Sequence, residues 1–306
     1  MLSRFLKFMI FTQVLVGAGL GYLHHALVGS SLWSLLIGAV LMPLATLVVV
    51  IGISAIASNP GESARAWWLS VFGESLAGIR IFLLRQPWNI ATPPLLPASA
   101  KPDRIPVVLV HGYLCNHRIW DDVINHLHAK GHPVMTVNLE PLFTSIDNYA
   151  PIVESAVTEL CRQFGTDKVA LVGHSMGGLA IRAWMRAHGT HRAARVLTLG
   201  TPHAGTQVKP NGKSRNGQQM VWQSQWLNEL SASETAATRA LFRVAITPQD
   251  NIVFPQRAQT LAGVSPVIFE GLGHLQMCLD PAVIAWVTAQ LAILGDDAQT
   301  NTPSSP

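Results

Sequence analysis

An apolar segment that stops at a glycine-rich serine motif is the feature that most constrains this chain. Residues 168–178 read KVALVGHSMGG, so a run suited to a buried strand ends in the pattern G-x-S-x-G. A helix-compatible segment, Leu179–His188, follows. G-x-S-x-G alone also occurs by chance in glycine-rich loops, but strand, sharp turn and helix together hold a serine in a strained conformation above a sheet edge. The sequence therefore predicts Ser175 as a nucleophile.

Candidates for the base and the acid that would activate this serine lie downstream. A serine hydroxyl needs an imidazole to accept its proton, and the imidazole needs a carboxylate to fix its tautomer. After such a turn the partners follow in the order Asp or Glu, then His. Asp250 comes after the apolar run 241–246 and His274 after 267–270, each just beyond a predicted strand. We therefore predict Ser175, Asp250 and His274 as the catalytic residues.

Other residues compete for these two roles. The chain has 12 histidines, and a single histidine is usually structural. His274 is favoured because it follows the last predicted strand in a glycine-rich turn, Gly271–His274. Glu270 and Asp280 are the rival acids. Glu270 falls within the predicted last strand and Asp280 comes after the histidine, so the order of the motif favours Asp250.

An oxyanion hole is expected from two backbone N–H groups. One belongs to Met176, the residue after the serine, and the other to the loop after the first core strand. That strand, 106–110, is followed by His111, Gly112 and Tyr113, so the Tyr113 N–H is the predicted second donor. His111 has two interpretations, a catalytic residue or a structural one that holds this loop by hydrogen bonds; we favour the structural one.

These motifs resemble the α/β-hydrolase superfamily, specifically bacterial lipase and esterase-type members. The matching pieces are VLVHG (108–112), GHSMGG (173–178), LGTPHAGT (199–206), Asp250 with Val253 and Pro255, and Gly273 with His274. The likeness covers residues 103–295 and leaves out the N-terminal third. It implies hydrolysis of a carboxylic ester through an acyl-serine intermediate, without a cofactor, and leaves the substrate open.

The fold class predicted is α/β, a mostly parallel sheet of about six strands with helices on both faces. The predicted strands are 106–110, 133–138, 168–173, 195–200, 241–246 and 265–270. Helical patterns separate most of them, at Ile119–Lys130, Asn148–Phe164, Leu179–His188 and Ala282–Leu294. We assign 106–295 to a catalytic domain and 296–306 to a disordered tail.

The N-terminal region, 1–60, is predicted to be a membrane anchor with two transmembrane helices, 8–28 and 32–57, which carry no Asp, Glu, Lys or Arg. Both runs exceed the about 20 residues that span a bilayer. A secretory signal peptide is the alternative, but its apolar region is only about 7–15 residues long. Gly17 and Gly21 are spaced to let the two helices approach closely as a hairpin.

Orientation follows from the basic residues that flank the two spans. Arg4 and Lys7 precede the first span, and Arg65, Arg80 and Arg85 follow the second. The positive-inside rule then places the catalytic domain in the cytoplasm, on a bacterial inner membrane. If only one run spans, the domain lies on the opposite side.

The segment 61–105 is predicted to be an amphipathic helix, Glu62–Arg85, followed by a proline-rich linker. Its tryptophans and other apolar residues recur at roughly helical spacing. Two placements are open: along the membrane surface, or packed on the catalytic domain.

The segment 205–239 is predicted to lie over the site as a lid or cap. Trp222 and Trp226 belong to an apolar helical stripe and are candidates for lining a substrate pocket. The alternative, which we favour slightly, is a helix packed permanently at the sheet edge.

Composition limits the ligands and partners. Cys115, Cys161 and Cys278 lack C-x-x-C spacing, and no convincing calcium ligand set is present, so we predict no metal site and no disulfide framework. The net charge is 21 − 17 = +4 without a basic cluster, which argues against nucleic acid. The expected partners are a hydrophobic ester or lipid and the bilayer; the oligomeric state is undetermined. Acyl transfer, thioester hydrolysis and a non-catalytic membrane adaptor stay open as alternatives.

Overall fold

A six-stranded parallel sheet forms the centre of the molecule in a computed structural model that describes residues 1–88, 104–208 and 214–300, with side chains to 293. The strand order is β2-β1-β3-β4-β5-β6, and every neighbouring pair is parallel. The strands are β1 Val107–Val110, β2 Val134–Thr136, β3 Val169–His174, β4 Ala193–Leu199, β5 Phe242–Ile246 and β6 Val267–Ile268. The predicted fold class is confirmed, although β6 is shorter than expected.

Helices cover both faces of this sheet because its strands are apolar on both sides. Val108 and Val110 of β1 belong to the core under α5 and α6, whereas Val107 and Leu109 belong to the core under α4 and α10. The helices of the catalytic domain are α4 Asp121–Ala129, α5 Ala150–Phe164, α6 Met176–His188, α7 Arg215–Gln219, α8 Gln225–Ala232, α9 Ala236–Ala240 and α10 Pro281–Thr300. The last helix therefore includes 296–300, which the sequence assigned to the tail.

Two long apolar helices, α1 Leu2–Val28 and α2 Trp33–Ser58, form an antiparallel hairpin. A Cβ atom placed on Gly17 would lie 2.1 Å from the Gly38 carbonyl oxygen, and one on Gly21 would lie 2.1 Å from that of Ser34. Small residues at these positions thus allow the two backbones to touch, as the glycine spacing predicted. Both helices are long and apolar enough to cross a membrane.

The third N-terminal helix, α3 Ala64–Gly78, continues into a π-helical turn at Ile79–Arg85. One face packs on the catalytic domain, where Ala77 and Ile81 join the core that contains β1 and α4. The opposite face exposes Trp68 and Phe72. Of the two predicted positions of this helix, the one packed on the domain agrees with its buried face. Most of the proline-rich linker falls on 89–103, outside the described residues.

The segment 205–239 packs firmly against α6 through a buried charge. The Arg182 Nε donates to Glu234 Oε1 at 2.6 Å, with both side chains almost fully buried. Arg182 also donates to Ser231 Oγ at 3.0 Å, while Leu227 and Leu230 of α8 are buried. These contacts favour the fixed helix over the moving lid for this part of the segment. Val221 and Trp222 lie in a turn before α8, so the predicted helical stripe is shorter than expected.

Replacing Arg182 by methionine tests this attachment. The change leaves the buried Glu234 carboxylate without its ion-pair partner, which costs about 3–5 kcal/mol. For a domain of this size the melting temperature should fall by roughly 10 °C. Thermal unfolding of the detergent-solubilised protein measures it. Arg162→Met, which removes an exposed ion pair with Glu159, is the control and should leave the melting temperature nearly unchanged. If Arg182→Met lowered the melting temperature as little as Arg162→Met, the result would contradict a fixed segment.

Candidate active site

Three polar residues follow strands at the carboxyl edge of the sheet. Ser175 directly follows β3, Asp250 follows β5 by four residues, and His274 follows β6 by six. Because β3, β4, β5 and β6 are consecutive parallel strands, their carboxyl ends lie side by side. The topology therefore brings together three residues that are up to 99 positions apart in the sequence.

Ser175 occupies a strained turn between β3 and α6. Its backbone has φ 55° and ψ −130°, a conformation that a residue with a side chain rarely adopts. Its N–H donates to the Leu199 carbonyl at 2.9 Å, which ties the turn to β4. A Cβ on Gly112 would lie 2.7 Å from Ser175 Cβ and 3.2 Å from its Oγ, so only glycine fits there. The loop after β1 consequently lies directly against the serine.

Asp250 and His274 form a buried hydrogen-bonded pair. The His274 Nδ1–H donates to Asp250 Oδ2 at 2.7 Å. The other carboxylate oxygen, Oδ1, accepts the N–H groups of Ile252 at 2.8 Å and Val253 at 2.7 Å. These bonds fix the carboxylate, and the carboxylate fixes the imidazole tautomer that leaves Nε2 free to accept a proton.

A second histidine supports the first. The His174 Nε2–H donates to the His274 carbonyl at 3.0 Å, and the two ring centroids lie 4.6 Å apart. Burial, together with the nearby His274 charge, holds the pKa of His174 well below its usual range. His174 is therefore a neutral donor that links the end of β3 to the backbone of His274.

The charge balance at His274 favours the imidazolium. Burial alone would lower its pKa, but the Asp250 carboxylate, by its charge and its hydrogen bond, and the Glu74 carboxylate raise it. The net result is a pKa above the usual value of about 6.5. A raised pKa makes His274 a stronger base for a neighbouring hydroxyl.

The predicted oxyanion donors lie on the elements expected. Helix α6 begins at Met176, so the Met176 N–H has no carbonyl partner within the helix and lies at its positive end. Tyr113 follows Gly112 in the loop after β1. His111 holds that loop: its Nε2 accepts the Leu139 N–H at 3.0 Å, so Nδ1–H donates to the Gly112 carbonyl at 2.9 Å. Burial lowers the pKa of His111 to about 4, which keeps it neutral. These contacts agree with the structural interpretation of His111.

A narrow, largely apolar cavity opens beside Met176. It is lined by side chains from the oxyanion loop, the segment after β2 and α7, including Tyr113, Leu142, Phe143, Tyr149 and Asn216. Trp222 and Trp226 are not among its described lining residues. The Trp226 indole instead donates to Asp147 Oδ2 at 2.9 Å, with the Arg186 guanidinium over its ring. Their predicted role in substrate binding stays a prediction.

The rival acids lie elsewhere. Asp280 caps α10 by accepting the Ala282 N–H at 2.8 Å, and Glu270 is exposed after β6. Sequence reasoning missed Glu74 of α3, which reaches the backbone next to His274. The sequence signal that could have identified Glu74 is its position as a single carboxylate within an otherwise apolar helical face. Such a carboxylate requires a hydrogen-bond partner when it is buried.

Comparison with known proteins identifies the class to which this fold and site belong. A family described as the alpha/beta hydrolase family matches residues 107–297. The chain belongs to the α/β-hydrolase family.

Among relatives, a triacylglycerol lipase from Burkholderia plantarii is 31% identical over 144 residues, covering 39% of this chain and 40% of the lipase. A triacylglycerol lipase from Pseudarthrobacter phenanthrenivorans is 34% identical over 113 residues, covering 34% of this chain and 35% of the lipase. The chain thus spans well under half the length of these relatives. The mature Bacillus licheniformis lipase BlEst2 has a similar fold, with a TM-score of 0.55, 17% identity, and coverage of 64% of this chain and 96% of the lipase.

The pKa of His274 can be measured without a substrate. We expect it to titrate above about 6.5 in the wild type. In Asp250→Asn it should fall below that value, because burial then outweighs the remaining Glu74 charge. Titration of ¹³Cε1-labelled histidine by NMR, assigned with His274→Gln, measures it. Asp280→Asn, which removes a carboxylate from the cap of α10, is the control. An unchanged pKa in Asp250→Asn would mean that the pair does not set it.

Proposed function

We propose that this protein is a membrane-anchored serine hydrolase that cleaves carboxylic esters. The observation that carries the proposal is the strained Ser175 beside the buried Asp250–His274 pair at one sheet edge. A strained serine, an imidazole in a fixed tautomer and an orienting carboxylate are the parts that acyl transfer requires.

In the proposed reaction the Ser175 Oγ attacks the ester carbonyl while His274 Nε2 accepts its proton. Asp250 stabilises the imidazolium through the bond to Nδ1. The N–H groups of Met176 and Tyr113 donate to the oxyanion of the tetrahedral intermediate. As this intermediate collapses, His274 gives the proton to the leaving alcohol. Water, deprotonated by His274, then attacks the acyl-serine. As this second tetrahedral intermediate collapses, His274 returns the proton to Ser175 Oγ, and the acid is released.

A hydrophobic ester or lipid is the proposed substrate class. The cavity beside Met176 has a volume of only about 10 Å³, room for one water-sized group, and its lining includes apolar and aromatic side chains that would contact an apolar part of the substrate. The names of the Burkholderia and Pseudarthrobacter relatives support the same class. The proposed lining by Trp222 and Trp226 would extend this surface.

The proposed anchor consists of residues 1–60, with spans 8–28 and 32–57. Support comes from the outward faces of α1 and α2, where large apolar side chains such as Phe8, Leu27, Val40 and Ile56 are more than half exposed. A contiguous apolar surface of this kind is stable only against lipid or another protein. We further propose that 61–105 connects the anchor to a catalytic domain at 106–295, and that this domain faces the cytoplasm.

Labelling with a serine-reactive fluorophosphonate tests the enzyme. We expect the wild type to be labelled and to hydrolyse p-nitrophenyl esters, with a preference for longer acyl chains. Ser175→Ala should abolish labelling and lower kcat by at least about 10³-fold, because the nucleophile is lost. Ser155→Ala, a surface serine on α5, is the matched control. Folded wild type that neither reacts nor hydrolyses would favour the adaptor. Products formed with competing alcohols separate hydrolysis from acyl transfer.

Cysteine accessibility tests the topology. In a Cys161→Ser background, Ser31→Cys lies in the turn between the spans and Ser155→Cys lies on the catalytic domain. A membrane-impermeant maleimide should label position 31 in intact spheroplasts and position 155 only after lysis. Labelling of position 155 before lysis would place the catalytic domain on the outer side and contradict the proposed orientation.

A further inference from the structure

Glu74 of α3 is a buried carboxylate bound to the backbone that follows the proposed catalytic histidine. Its side chain is 1% exposed. Both of its oxygens lie 2.9 Å from the Leu275 N–H, and Oε2 also accepts the Gln276 N–H at 3.2 Å. These two N–H groups begin the 3₁₀ helix Leu275–Cys278, whose first donors have no partner within the helix. Glu74 therefore caps the turn that starts at His274.

Two glycines allow α3 to approach this closely. A Cβ on Gly273 would lie 2.5 Å from Glu74 Oε2, and one on Gly73 would lie 2.1 Å from Gln276 Nε2. Gln276 in turn accepts the Gly273 N–H at 2.7 Å. Each segment thus presents a glycine to a polar side chain of the other, Gly273 to Glu74 and Gly73 to Gln276, which lets α3 pack closely on the histidine loop.

Side chains from the segment after β5 also hold the histidine loop: the Thr247 Oγ1 donates to the Leu272 carbonyl at 2.7 Å, and the Gly271 N–H donates to Gln249 Oε1 at 2.6 Å. Strand β6 contains only two residues and ends six residues before His274. Apart from its ring, His274 is held by the His174 donor to its carbonyl and by its own N–H, which donates to Asn251 Oδ1 at 3.3 Å. Glu74 fixes the two residues that follow. Glu74 thus adds a contact to the loop of His274 from outside the 107–297 region that defines the family.

The charged and titratable groups around His274 and Glu74 come from five elements, of which the 3₁₀ helix Leu275–Cys278 carries Cys278. Asp250 lies on the loop after β5, His174 at the end of β3 and Glu74 on α3. Burial raises the pKa of Cys115, on the oxyanion loop, to about 12, and that of Cys278 well above its usual range. Both thiols consequently stay neutral. Burial raises the pKa of the Glu74 carboxyl to about 7, against the lowering effects of the His274 charge and the Leu275 N–H. In their ionised forms, Asp250 and, to a smaller extent, Glu74 raise the pKa of His274.

We propose that Glu74 is a positioning residue of the active site, by which the N-terminal helix α3 holds the turn that carries His274. The expected changes in kcat and KM rest on the proposed ester hydrolysis. The expected effect of Glu74 on His274 itself does not.

Glu74→Gln in the full-length, detergent-solubilised protein tests it. The amide keeps the volume but loses the charge, and it places an N–H₂ group against backbone N–H donors. We expect the ¹³C NMR pKa of His274 to fall, and the acidic limb of kcat/KM to move to lower pH with it. We expect kcat to fall about tenfold and KM to stay within about twofold. Glu74→Asp, which keeps the charge on a shorter side chain, should retain more of the pKa effect.

The control is Glu62→Gln, the same change at an exposed ion pair with Arg257, and it should alter neither quantity. A Glu74→Gln protein with wild-type pKa and kcat would overturn the proposal. A lower kcat with an unchanged pKa of His274 would mean that Glu74 only packs against the loop, and it would also overturn the proposal. Should the variant not fold, amide exchange in the wild type decides: fast exchange at Leu275 and Gln276 contradicts the cap, and slow exchange supports it. The NMR readout stands even if no ester is hydrolysed, so the two proposals fail separately.

Discussion

The buried hydrogen bond between Asp250 and His274 is the interaction around which the site is arranged. A carboxylate and an imidazole can remain buried only when their polar atoms are paired, and here the Asp250 oxygens are occupied by His274 and by two backbone N–H groups. The parallel sheet makes this possible by placing the ends of β5 and β6 side by side, with the end of β4 between them and that of β3. The turn of Ser175 is tied to the Leu199 carbonyl, one residue before Gly200, which lies close to both Asp250 and His274.

The N-terminal third of the chain packs against the sheet and against the loops that carry Asp250 and His274. Ala77 and Ile81 complete one of the two sheet cores, and Gln256, six residues beyond Asp250, donates to the Ser58 carbonyl at the end of α2. Glu74 reaches the histidine loop from the same side. An apolar hairpin followed by a helix docked on the catalytic loops would hold the site at a constant distance from the surface in which the hairpin sits, which suits a substrate delivered from a bilayer.

The segment 205–239 shows how a buried charge can decide between two predictions. Its apolar residues fit a lid and a fixed helix equally well, because both bury one face. The sequence does not reveal that Arg182, on α6, extends to Glu234 and Ser231 and is fully enclosed. Releasing the helix would break the Arg182–Glu234 ion pair and the hydrogen bond to Ser231 together with the apolar contacts of Leu227 and Leu230. This pairing favours the fixed arrangement for the part of the segment that carries these residues.

The sequence by itself determined the family, the six strands and the elements that carry Ser175, Asp250, His274, Met176 and Tyr113, because strand period, turn glycines and motif order are local properties. It also indicated the two apolar helices, although α1 begins at Leu2, before the predicted start of the first span at residue 8. Only the tertiary structure decided that α3 packs on the catalytic domain, that His174 and Glu74 hold the loop of His274, and that Trp226 binds Asp147. These contacts join positions up to about 200 residues apart. Local sequence patterns do not predict such pairings. A buried polar side chain must be hydrogen-bonded, but many different partners can satisfy this requirement.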